Sequence, residues 1–260
     1  MSAASPSTPD GPPDGPSGSP DGRPPPPTAA PDGAGADEVS RPAVPPMVLG
    51  ARSALRHSLR PLLALWLRLR VEGLEHVPAD GRVLLASTHQ SHADSLAIGV
   101  AVPRPVRFLG DARLLAWPVV GPALPRLGMV PLQRGSGDRD ALGLLGSLLE
   151  QDSAVAVYPE GSRSRDGRVH RLRSGVARLA AATATPVVPV AVAGIYDVWP
   201  IGSRPRLRGG RVTVRFGAPL LPPTDTPRDR RTFTEGLHGR LADLAGVEAA
   251  SDFSPIGGGA

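Results

Sequence analysis

The stretch Val83-Leu84-Leu85-Ala86-Ser87-Thr88-His89-Gln90-Ser91-His92-Ala93-Asp94-Ser95 decides how the chain is read. Val83 to Ala86 form a short apolar run of the kind that makes a buried strand. A helix-like segment begins near Asp94. A strand that feeds through a loop into a helix puts His89 at the strand's carboxyl end, where open α/β sheets bind their ligands. Five positions on an ideal helix rotate by roughly 140°, so His89 and Asp94 cannot share one helical face. They meet only if His89 lies in the turn and Asp94 in the first helical turn, where the helix's positive end also favours a carboxylate. A carboxylate on one ring nitrogen fixes the tautomer and leaves the other nitrogen free to take a proton.

Outward from this stretch, strand and helix signals alternate. Ser95 to Val102 reads as a helix ended by Pro103, Val106 to Leu109 as a strand, and Asp111 to Ala116 as a helix start. Met129 to Leu132 reads as a strand and Asp138 to Glu150 as a helix with an acidic start. Then follow a strand at Ala154 to Tyr158, a helix at Gly175 to Ala182, and a strand at Val187 to Val192. Arg211 to Phe216 alternates like a strand, and the last helix spans Pro227 to Ala245. The alternation predicts an α/β fold, a mostly parallel central sheet flanked by helices.

Residues 1–46 are built from Pro, Gly, Ser, Ala and Asp, with Pro-Asp-Gly recurring at Pro9, Pro13, Pro20 and Pro31. A segment with so little to bury is expected to be a disordered tail. Its six acidic residues against Arg23 and Arg41 give −4, so the net +5 of the chain becomes +9 over residues 47–260. All 29 basic residues are arginine, a side chain suited to planar phosphate and carboxylate recognition. Residues 47–70 place Leu55, Leu59, Leu62, Leu63, Trp66 and Leu67 at helical spacing among arginines. They form an N-terminal amphipathic basic segment, read either as a membrane-interface anchor or as a helix packed on its own domain. Residues 71–250 are the expected catalytic domain and 251–260 a flexible C-terminus. No apolar run approaches the roughly 20 residues of a spanning helix. With no cysteine, disulfides and a thiol nucleophile are excluded. Aromatic residues make up only 3%, too few for the stacking platforms of a nucleic-acid binder, so no nucleic-acid partner is expected.

Three later segments join the His89 stretch. They are Gly128-Met129-Val130-Pro131-Leu132-Gln133-Arg134, then Tyr158-Pro159-Glu160-Gly161-Ser162-Arg163-Ser164, then Val188-Pro189-Val190-Ala191-Val192. With His89-x4-Asp94 and the step Leu172-Arg173-Ser174-Gly175, this series resembles, in order, the motifs of the glycerolipid acyltransferases related to lysophosphatidic acid acyltransferase. Pro131 departs from the pattern, standing where that family usually has an aromatic residue. The resemblance covers roughly residues 71–216.

The resemblance implies transfer of a fatty acyl group from acyl-CoA or acyl carrier protein to the free hydroxyl of 1-acylglycerol 3-phosphate, giving phosphatidic acid. Relatives with the same blocks acylate other lysolipids, glycerol phosphate or glycolipids, so these acceptors stay open. His89 is the implied general base, with Asp94 holding the imidazolium. The implied substrate-binding residues are Arg134, Glu160, Gly161, Ser162, Arg163 and Arg173. Arg163 is the first choice for phosphate contact and Glu160 an ion-pairing partner that orients the arginines. Arg165 and Arg171 read as solvated. Backbone amides near Gly161 are the candidate oxyanion donors. No metal and no cofactor are expected: His92 adds a second histidine to the loop, but no further ligand stands at a recognisable spacing. The implied setting is the cytoplasmic face of the cell membrane, peripheral or monotopic. The reading outside enzymes is a membrane-attached scaffold, which His89→Ala would leave intact.

Overall fold

The computed structural model describes residues 68–118, 121–133, 137–201 and 210–255, with single positions between 54 and 66 and residues 203, 204 and 206. The tail expected over 1–46, much of the 47–70 segment and Arg134 lie outside the described residues.

Among the described residues seven strands form one sheet: β1 (Arg70–Glu72), β2 (Val83–Ser87), β3 (Val106–Asp111), β4 (Met129–Leu132), β5 (Ala154–Val157), β6 (Val187–Ala193) and β7 (Thr213–Phe216). Their order is β1-β7-β6-β2-β5-β3-β4. Every pairing is parallel except β6 with β7. β2 is the central strand, and all five of its residues are buried. A strand covered on both faces needs apolar side chains in succession, which is why Val83 to Ala86 shows no alternation.

Its period of two still sorts the core. Val83 and Leu85 face a cluster that includes Ala97, Ile98 and Ala101 of helix α1 (Asp94–Ala101). Leu84 and Ala86 face a second cluster. That one is built from α2 (Asp138–Glu150), α3 (Gly175–Thr183) and α5 (Pro227–Ala245), through residues such as Leu148, Leu179 and Leu241. Burying a side chain the size of Leu84 contributes about 2–3 kcal/mol, so each face of β2 is a substantial anchor. A single helical turn, α4 (Ile195–Val198), follows β6 and was not anticipated from the sequence.

The end signals of α5 are local. Thr226 Oγ1 accepts from the backbone N–H of Asp229 at 3.2 Å, Pro227 occupies the first turn, and Gly246 closes the helix at φ 70°. The other strands and helices that the sequence predicts lie within a few residues of their expected places, whereas β1 and the 3-10 turns at Leu74–His76, Gly121–Ala123 and Pro125–Leu127 are not predicted. Two boundaries differ. Arg70, read as the end of the amphipathic segment, is the first residue of β1 and pairs with Thr213. Residues 251–254, read as the start of a flexible C-terminus, are instead held down. The backbone N–H of Arg171 donates to Asp252 O at 2.9 Å, and Ser254 is 2% exposed. This contact is long-range, and no local pattern announces it.

Positions 54, 57, 58, 61, 62, 65 and 66 are helical. Leu62 and Leu65 are exposed, whereas Trp66 packs on the core and its indole N–H donates to Arg206 O at 3.2 Å. Among the described residues no helix is long and apolar enough to cross a membrane.

Candidate active site

The loops after β2, β3 and β5 leave the sheet at one edge, because these strands are parallel neighbours. That topology brings His89, just after β2, beside the segment 158–164, just after β5.

Asp94 is the first residue of α1 and is fully buried. Its Oδ2 accepts from the backbone N–H of Gln90 at 2.7 Å and of Ser91 at 2.8 Å. The same oxygen lies 2.9 Å from His89 Nδ1. A carboxylate only accepts, so Nδ1 carries the proton and donates, and Nε2 is left with its lone pair. The place expected for His89, in the connection between strand and helix, and the first-turn position expected for Asp94 are both present. The imidazole also lies against the Tyr158 ring, with centroids 3.9 Å apart and planes 19° apart. The Tyr158 hydroxyl meets Ser95 Oγ, next in sequence to Asp94. Burial pushes the phenol well above its ordinary range, so Tyr158 stays neutral.

Glu160 is placed otherwise than expected. Its side chain is fully buried and binds two backbone groups: Oε1 accepts from His89 N at 3.2 Å and Oε2 from His170 N at 3.0 Å. It orients main chain on two loops and, among the described residues, pairs with no arginine. Burial raises its carboxyl to about 7, against the lowering effect of those two N–H groups. The backbone N–H of Ser164 donates to His89 O at 2.7 Å, which closes the link between the loops.

Arg163, the expected phosphate contact, sits with Nη1 2.6 and 2.7 Å from the two ring nitrogens of His92. It donates to whichever nitrogen carries the lone pair. The His92 ring lies 6.0 Å from that of Trp199. Burial, then the Arg163 charge, holds His92 below its ordinary range, and the neutral ring is the form that can accept from arginine. Ser162, expected at the substrate, donates its hydroxyl to Ser254 Oγ at 2.9 Å. Gly161 is in the left-handed region at φ 79°. A Cβ there would lie 2.5 Å from Arg173 Nε, so the missing side chain is the passage through which Arg173 crosses the loop. The N–H of Gly161 donates to Tyr158 O at 3.0 Å and is therefore not open to an oxyanion.

His89, Gly161 and Arg173 line one cavity of about 970 Å³. Its apolar wall includes Leu109, Leu142, Leu145 and Leu179; its charged lining is Arg171, Arg173, Arg178, Arg230 and Arg231 against Asp138 and Glu235. Glu160, Ser162 and Arg163 are not among its lining residues. Sequence reasoning missed Tyr158 as a partner of His89, although its place immediately before Pro159 in the third motif was the available signal. It missed Phe253, which also lines the cavity, for want of any signal. Among the described residues no group of three or more His, Asp or Glu is arranged to hold a metal ion.

Comparison with known proteins places the chain among related sequences and folds. Residues 68–193 match the family model described as Acyltransferase. A chloroplastic 1-acyl-sn-glycerol-3-phosphate acyltransferase of Arabidopsis thaliana is 31% identical over 156 residues, 59% of this chain and 44% of that protein. The chain thus spans less than half the length of that relative. A 1-acyl-sn-glycerol-3-phosphate acyltransferase of Bacillus subtilis is 24% identical over 193 residues, 72% of this chain and 94% of the relative. Among solved structures, the 1-acyl-sn-glycerophosphate acyltransferase PlsC of Thermotoga maritima has the same fold, with a TM-score of 0.62 at 24% identity, covering 77% of this chain and 81% of that one. The order of the motifs and the matched segment point the same way: through residues 68–193, this chain is similar to the acyltransferase family.

Proposed function

We propose that the protein is a 1-acylglycerol-3-phosphate acyltransferase, moving a fatty acyl group from a thioester of coenzyme A or acyl carrier protein to the free hydroxyl of the lysolipid. The observation that carries this reading is the 2.9 Å contact between His89 Nδ1 and the buried Asp94 carboxylate, on the wall of a cavity with apolar and basic linings. The names of the relatives from Arabidopsis thaliana and Bacillus subtilis support the acceptor.

In this reaction His89 Nε2 takes the proton from the acceptor hydroxyl as its oxygen attacks the thioester carbonyl. Asp94 and the face of Tyr158 stabilise the imidazolium that forms. The tetrahedral intermediate then expels the thiolate, which takes the proton back from His89. No acyl-enzyme is needed, and the chain has no cysteine to form one. The acceptor is drawn from a lipid surface, which the exposed Leu62 and Leu65 ahead of the sheet suit.

The test is thiol release from acyl-CoA in the presence of 1-acylglycerol 3-phosphate, with purified wild type and His89→Ala. Release is expected from the first and to fall by several orders of magnitude in the second. Absence of release in the wild type, with glycerol 3-phosphate and other lysophospholipids also tried, overturns the reading.

A further inference from the structure

We propose that Arg171 and Arg173, backed by Phe253 from the C-terminal segment, form a phosphate-binding site on the wall of the His89 cavity. All three residues line that cavity. The Arg171 guanidinium carbon lies 4.8 Å from the centre of the Phe253 ring and that of Arg173 5.6 Å away. One aromatic ring thus carries two guanidinium groups. Stacking covers a guanidinium face and leaves its edge, where the N–H donors are, free to make paired hydrogen bonds to a phosphate.

The surroundings leave that edge available. Neither side chain has a carboxylate partner among the described residues. Asp252, the nearest acidic neighbour in sequence to Phe253, is turned away: its carboxylate lies 3.5 Å from His170 Nδ1 and 3.9 Å from Arg168 Nη2. The cavity lining has five arginines against two acidic residues, and one of these, Glu235, is occupied by Arg231 at 2.8 Å. An anion is the ligand such a wall favours.

The site is also built, because the backbone is tied at both arginines and on the segment that carries Phe253. The N–H of Arg173 donates to Pro159 O at 2.8 Å, the N–H of Arg171 donates to Asp252 O at 2.9 Å, and Ala250 N donates to Val169 O at 2.9 Å. Ser162 to Ser254 adds a side-chain tie. Gly161 gives Arg173 its route, since a Cβ there would strike it. Arg171 and Arg173 lie within the segment 68–193 matched by the family model, and Phe253 lies beyond it.

Two sources present the same chemistry: the phosphate of the glycerolipid acceptor and the phosphates of the coenzyme A donor. The inference rests on the acyl-transfer reading for these two ligands alone. The experiment is calorimetric titration of the full chain with glycerol 3-phosphate and, separately, with coenzyme A, using glycerol and pantetheine as uncharged counterparts. The variants are Arg171→Gln, Arg173→Gln, Phe253→Ala and Phe253→Leu, with the exposed Arg240→Gln as a charge control.

Each arginine variant is expected to weaken one charged probe about tenfold or more. Phe253→Ala and Phe253→Leu are expected to weaken it about threefold to fivefold, because leucine keeps an apolar contact without a π face. Arg240→Gln leaves binding unchanged. Loss confined to glycerol 3-phosphate assigns the site to the acceptor, and loss confined to coenzyme A assigns it to the donor. Equal affinity of wild type and both arginine variants for both probes, or wild-type binding of neither, overturns the site. Wild-type affinity in Phe253→Leu overturns the role of the stack. Binding is read without turnover, so intact probe binding with no acyl transfer would defeat the proposed reaction and leave this site standing.

Discussion

The imidazole of His89 lies flat on the ring of Tyr158, 3.9 Å between centroids, while the same tyrosine's hydroxyl is tied to Ser95, the neighbour of Asp94. One side chain therefore steadies both members of the dyad, by a face for His89 and by an anchor beside Asp94. Tyr158→Phe keeps the face and is expected to retain most of kcat. Tyr158→Leu removes it and is expected to lower kcat about threefold to tenfold with KM little changed. The proton NMR signals of the His89 ring report the stack directly: they move away from their ring-shifted positions in Tyr158→Leu and stay in Tyr158→Phe. A Leu variant with unshifted His89 signals would disprove the stacking role.

Asp94→Asn replaces an acceptor oxygen by an amide that can present its own N–H to His89 Nδ1, which favours the wrong tautomer. Two backbone N–H groups converge on the same Oδ2, so the substitution also disturbs the Gln90–Ser91 turn. A fall in kcat of roughly three to four orders of magnitude is expected by analogy with the corresponding change in serine proteases. Steady-state kinetics at saturating substrate checks it.

Glu160 gives the fold a pH dependence with a definite sign. Its folded value is about 7, above the ordinary 4.5, so the native state binds the proton more tightly than the unfolded chain. The resulting stability is full below about 4.5 and is lost as pH rises through about 7; its size is about 3 kcal/mol at most. Glu160→Gln cannot ionise, so its melting temperature should change less between pH 4.5 and 7.5 than that of the wild type. Parallel melting curves for the two proteins across that range would refute this.

Gly161→Ala combines two penalties: a left-handed φ of 79° and a Cβ placed 2.5 Å from Arg173 Nε. Stability should fall by about 1–2 kcal/mol, and Arg173 must leave its path. Chemical denaturation measures the first effect and a rise in acceptor or donor KM the second. Gly81, where an added methyl would meet nothing within 4 Å but φ is 72°, separates strain from collision: its alanine variant should share only the loss of stability.

The parts legible in the sequence are those whose cause is local. The apolar run from Val83 to Ala86 dictates a central strand, and the spacing of His89 and Asp94 requires a turn followed by a helix. Both are contained in a dozen residues. Glu160 could be read as part of a site but not assigned its partners, because backbone N–H groups of His89 and His170 leave no trace in residue identity. Arg163 and Arg173 illustrate the same limit. Both stand near the third motif, yet which arginine reaches the cavity depends on the turn at Gly161 and on a ring eighty residues further along the chain. The match of Phe253 to Arg171 is a tertiary contact between segments with no shared pattern.

Strand β1 stands at the margin of the sheet and takes its hydrogen bonds from β7, so Arg70 must wait for Thr213 to be synthesised. During translation the margin emerges early and its partner late. Between those moments β1 is a strand without a sheet, so this non-local edge pairing is expected to be among the last to form.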